Sequence, residues 1–115
     1  MPLETSILKT IRKRIGPSAD YDIFDTDLII NINSSFARLC QLGVGPSKPF
    51  KIEGADEEWD EFITKPDVTS DVQQYIYLKA RLIFDPPQNA TVTNLIKEEI
   101  EKLEWLLKEV SEFGY

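Results

Sequence analysis

Apolar residues recur along this chain at helical spacing, in segments bounded by caps and breakers. Ile7, Leu8, Ile11 and Ile15 make one such stripe. Thr5 or Ser6 can cap it, and Gly16-Pro17 ends it, because glycine suits the position after a helix and proline cannot continue one. A second helix opens at Asp25-Thr26-Asp27, where the side chains cap and the charges favour the positive helix end. Its apolar stripe is Leu28, Ile29, Ile32, Phe36, Leu39 and Cys40, with Leu42 at its edge; Asn31, Asn33, Ser34, Ser35 and Arg38 supply the polar side. Several of these are weak helix formers, so packing must hold this helix. Gly43-Val44-Gly45-Pro46 terminates it.

Phe50-Lys51-Ile52 reads as a short extended piece with Phe50 and Ile52 on one side. A lone strand has no partner for its backbone groups, so pairing with a turn or a neighbouring subunit is expected. Asp56 to Ile63 reads as a short acidic helix with Trp59, Phe62 and Ile63 on one face. Lys65-Pro66-Asp67 is a break, and Thr69 or Ser70 caps the next segment. That segment, through Tyr75 to Phe84, is apolar almost all round and stops at Pro86-Pro87. It lacks the wide polar face of a surface helix and must be enclosed, by its own fold or by copies of the chain. The last helix, about Ala90 to Val110, has the stripe Val92, Leu95, Ile96, Ile100, Leu103, Leu106, Leu107 and Val110. Glu98 with Lys102 and Glu104 with Lys108 are i, i+4 pairs. The expected fold is mainly α: a small bundle of about five helices with a long loop and a short extended segment.

The chain has 115 residues, 42% hydrophobic and 29% charged, which fits one domain over residues 1–115 with one core. No stretch is apolar enough to span a bilayer, and the N-terminus lacks the basic and apolar regions of a signal peptide, so a cytoplasmic chain with no membrane partner is expected. Histidine is absent and Cys40 is the only cysteine. That removes the commonest general base, any internal disulfide and any cluster of thiolates within one chain. The net charge of -7 favours solubility and disfavours non-specific contact with nucleic-acid phosphates. The carboxylates lie in caps and in one charge run, without the spacing of an acid–base pair or the ligand order of a calcium loop. Gly43-Val44-Gly45-Pro46 follows a helix and fits no phosphate loop. No catalytic, cofactor-binding or metal-ligating residue is expected.

Two features stay open at this stage. Lys79 and Arg81 lie inside the apolar segment: their heads either snorkel to water or pair with carboxylates on another helix or another subunit. Trp59 either anchors its helix to the core or is a buried anchor at an interface.

The block from Phe24-Asp25-Thr26-Asp27 to Ser34, followed by Cys40-Gln41-Leu42-Gly43-Val44-Gly45, resembles the head–tail connector (adaptor) proteins of tailed phages and prophages of Gram-positive bacteria. So do Trp59 with Phe62, the segment from Tyr75-Ile76-Tyr77 to Phe84-Asp85-Pro86-Pro87, and Glu104-Trp105 in the terminal helix. The likeness implies a structural subunit of the virion at the head–tail junction, assembled in the host cytoplasm. Subunits of that kind form a homo-oligomeric ring under the portal protein, extend the DNA channel and receive a stopper or head-completion protein. DNA would pass through without sequence-specific binding, and an acidic channel wall would repel its phosphates. The resemblance marks Trp105, Phe113 and Tyr115 as portal contacts and the Gly45–Gly54 loop for subunit or stopper contacts. For the side-to-side interfaces, Phe50, Ile52, Trp59 and Phe62 are the apolar candidates, and Arg38 and Arg81 the charged ones. The competing readings are a small helical regulator that binds one phage or host protein, and an enzyme subunit.

Overall fold

In the computed structural model, residues 5–16, 25–46, 48 and 50–112 are described. They form five helices: α1 (Ile7–Ile15), α2 (Asp25–Gln41), α3 (Trp59–Phe62), α4 (Pro66–Phe84) and α5 (Ala90–Glu112). No strand occurs among the described residues; the sole extended pairing there is an isolated antiparallel bridge between Ser6 and Glu58. The mainly helical bundle expected from the hydrophobic pattern is what is found.

The helix ends follow from local chemistry. Ser6 Oγ accepts a hydrogen bond from the Lys9 amide at 3.3 Å and caps α1, which ends at Gly16 with φ +102°. Three cations fill the last turn of α1, where the helix dipole favours them. At the end of α2 the Val44 amide donates to the Leu39 carbonyl and the Gly43 amide to that of Cys40, with Gly43 at φ +87°. This two-bond closure is the Schellman arrangement, and it needs a residue free to take positive φ. Asn89 Oδ1 accepts from the Thr91 amide at 2.7 Å and starts α5.

α4 is the hub and packs against α1, α2 and α5. Val72, Tyr75, Ile76 and Ala80 are wholly buried, which satisfies the requirement that this apolar segment be enclosed, and the chain's own helices do the enclosing. Its start differs from the expected break: Pro66 is the first helical residue and Lys65 the cap. Proline is well suited to that position, because its fixed φ is helical and its missing amide hydrogen has no intrahelical partner there. The buried stripe of α5 is Ile96, Ile100, Leu103 and Leu107; Val92, Leu95 and Leu106, expected on the same stripe, are exposed.

The segment from Phe50 to Ile63 departs most from expectation. Phe50-Lys51-Ile52 pairs with no strand. Asn33 of α2 takes that role: its Oδ1 accepts from the Ile52 amide at 2.7 Å and its Nδ2 donates to the Ile52 carbonyl at 2.9 Å. One side-chain amide therefore satisfies both backbone groups within the chain, and the need for a neighbouring subunit there falls away. The acidic helix is shorter than its charge run. Residues 57 and 59 instead bond the N-terminus, with the Ile7 amide donating to the Glu57 carbonyl and the Trp59 amide to that of Thr5. Two of the acids act locally: Glu57 accepts from the Glu53 amide at 2.8 Å, and Glu61 from the Glu58 amide at 2.6 Å.

Candidate functional site

Aromatic packing builds the first region. The Phe36 ring of α2 lies 4.5 Å from that of Phe62 and 4.9 Å from that of Phe50, centroid to centroid. Trp59 stands beside them, and its indole N–H donates to Thr10 Oγ1 of α1 at 3.0 Å. Ile52, Trp59 and Phe62 are at most 5% exposed. These three interface candidates thus sit inside the core, where their surface is already spent, and for Trp59 the core-anchor reading describes what is seen. Phe50 is half-buried at the edge of the cluster. The Gly45 backbone, at φ +94°, runs against the Phe62 ring so closely that a Cβ there would overlap it.

A polar node ties α2, α4 and α5 together. Tyr75, with its side chain buried, donates its hydroxyl hydrogen to Glu104 Oε2 at 2.7 Å. Arg38 Nη2 donates to Glu104 Oε1 at 3.0 Å. Lys79 Nζ donates to the Tyr75 hydroxyl at 3.3 Å. Burial pushes the Tyr75 phenol well above its ordinary range, and the bond to Glu104 pushes it further. Burial alone would raise the Glu104 carboxyl. The hydrogen bonds from Tyr75 and Arg38, with the positive charges of Arg38 and Lys79, outweigh it and hold Glu104 below the ordinary carboxylate value. The node is satisfied within one subunit, so it reads as a clamp that fixes the terminal helix. Lys79 has found its partner inside the fold. Arg81 is half-buried, and its Nε has no hydrogen-bond partner among the described residues. Arg38, proposed from sequence for an inter-subunit pair, is exposed but engaged by Glu104.

The basic end of α1 is also used internally. Arg12 pairs with Asp25 at the start of α2, and the Arg14 guanidinium lies 4.0 Å from the centroid of the Tyr77 ring. That is a cation–π contact, and both cations are engaged by neighbouring helices of the same chain.

Among the described residues, exposed large apolar side chains fall on α5 and on the α2–α4 pair. On α5, Trp105 is 63% and Leu95 57% exposed, with Leu106 nearby. On the opposite element pair, Ile30 of α2 and Ile83 of α4, each 62% exposed, border a groove of about 390 Å³ lined also by Asp27, Asn31, Ser34 and Phe84. Of the portal candidates, Trp105 is exposed as expected, whereas Phe113 and Tyr115 lie outside the described residues. Sequence reading missed Ile30 and Leu95 as surface groups. Ile30 did carry a signal: it is the one isoleucine of α2 left out of the apolar stripe, so it had to point outward.

Among the described residues no group of three or more His, Cys, Asp or Glu side chains could hold a metal ion, and no helix is long and apolar enough to cross a membrane. Neither the curated proteins nor the solved structures compared with it contain a match to this chain. A family model described as phage connector protein matches residues 7–113, a span that takes in every helix of the bundle. The chain belongs to the phage connector protein family.

Proposed function

We propose that this head–tail connector protein is an adaptor subunit whose copies form a ring beneath the portal, extend the DNA channel and receive a stopper or head-completion protein. The family match over residues 7–113 is the observation that carries the reading. The whole span 1–115 then acts as one connector domain in the virion, after assembly in the host cytoplasm. The surface supports it: two exposed apolar regions on different helices are what a repeating side-to-side contact requires, since such a contact joins two unlike patches. Arg38, Arg81 and the edge of Phe50 remain the interface candidates with surface to offer, and Asp56, Glu58, Asp60 and Glu61 are exposed acids for a DNA-repelling channel wall. The end of α5, leading into Phe113 and Tyr115, is the portal-facing element. Imaging portal complexes mixed with the chain tests this directly. An added ring is the expected result; bare portals alongside capture of a single phage or host protein would favour the regulator.

A further inference from the structure

We propose that, in the adaptor ring, Trp105 of one subunit inserts into the α2–α4 groove of the next. The inference rests on the adaptor reading and names the two patches that meet.

Trp105 cannot serve its own core. Leu103 and Leu107, both buried, lie two residues to either side, so the indole stands about 160° round the helix from each. The helix that carries it is held at this level, because the neighbouring Glu104 is bonded to both Tyr75 and Arg38. An outward aromatic on a firmly docked helix, whose N–H has no bonding partner among the described residues, is an anchor in search of a pocket.

The groove is the complementary half. Its walls are the exposed faces of Ile30 and Ile83 with Phe84. At about 390 Å³ it lies in the size range that takes one bicyclic ring system. Asn31 lines it and leaves Oδ1 without a hydrogen-bond partner among the described residues. Oδ1 is buried, but the terminal torsion of an asparagine is soft, so rotation of the amide can turn that acceptor toward a donor in the groove. An indole N–H is a donor only, and it matches. Asp27 at the rim adds a negative charge, which suits the positive edge of an aromatic ring. The groove and the indole lie apart along the bundle: the Tyr75–Glu104 bond sets Trp105 level with Tyr75, eight residues or about 12 Å along α4 from Ile83. One subunit therefore presents a knob and a hole that cannot meet each other, and a second copy supplies both partners.

The test uses the full chain assembled on its portal, in a Cys40→Ser background. With Trp105→Cys and Ile30→Cys introduced together, at a chain concentration raised enough to offset the lost anchor, mild oxidation should give a ladder of covalently joined subunits, which either substitution alone does not. Trp105→Ala and Ile83→Asp should each raise the concentration needed for ring formation about thirty-fold, the loss expected of an interface anchor. Both positions are exposed, and circular dichroism of the monomers checks that folding is unchanged. A ring that forms without the ladder, or with unaltered concentration dependence in both variants, overturns the pairing and leaves the adaptor reading standing. Loss of single-subunit binding to the portal in Trp105→Ala alone assigns the indole to the portal and also overturns it. Absence of any ring for the unmodified chain overturns both.

Discussion

Replacing Asn33 by alanine isolates the device that stands in for a missing β-partner. Asn33 makes two hydrogen bonds to Ile52, one to each backbone group, at 2.7 and 2.9 Å. The Ile52 side chain is 1% exposed, so its backbone is held against the core by that residue's own burial. Alanine leaves one N–H and one C=O without a partner. Each stranded group costs about 1–3 kcal/mol when buried. Asn33 itself is half-buried, so water reaches part of the vacated site and the lower half of the range applies. The expected loss is about 2–4 kcal/mol in urea unfolding followed by circular dichroism, with an unchanged m-value. Asn33→Asp keeps the acceptor for the amide but turns an oxygen toward the carbonyl, so it should also destabilise. Ser34→Ala, at the next, exposed position, should stay within about 0.5 kcal/mol of the parent chain. An Asn33→Ala protein as stable as that control would refute the view that a side-chain amide replaces strand pairing here.

Three other perturbations follow from the same geometry. Gly45→Ala meets positive φ and the Phe62 ring together and should cost about 2–4 kcal/mol, whereas Gly16→Ala, also at positive φ but with open space around it, should cost about 1–2; equal losses in thermal or urea unfolding would remove the contact from the explanation. Trp59→Ala should destabilise the isolated subunit by about 3–5 kcal/mol, because it empties a core position and frees Thr10 Oγ1; weakened assembly with unchanged monomer stability would restore the interface-anchor role. Since Glu104 is held below its ordinary value of 4.5 in the fold, its contribution is complete above that value and is lost as pH falls through the lower, folded value. Glu104→Gln should therefore lower stability near neutral pH and flatten the acid limb of the stability–pH curve; a parallel, merely shifted curve would contradict this.

Much of the bundle was legible because its helices are punctuated by residues with one physical meaning. Ser6, Gly16, Asp25, Gly43 and Pro86-Pro87 mark ends that the structure uses, and the stripes of α1 and α2 are buried almost as spaced. Pro66 was misjudged because proline both stops a helix and starts one, and only the chain beyond it decides which. The 50–63 segment was misread because its partners are distant. Asn33 looks like any polar helix residue until Ile52 folds against it, and Glu57 looks like one charge in a run until the Ile7 amide bonds its carbonyl. The assembly surfaces were the least legible. Trp59 and Trp105 are equally aromatic in sequence, yet one fills the core and the other faces solvent, and helical phase against Leu103 and Leu107 is what separates them.

Cryo-electron microscopy of portal complexes incubated with the purified chain tests the central claim most directly. The adaptor account predicts a continuous ring of density on the portal, with the exposed acids around Asp60 toward the lumen and the end of α5 toward the portal. Portals that remain bare at saturating chain concentration, or that bind isolated copies which never touch one another, would contradict it.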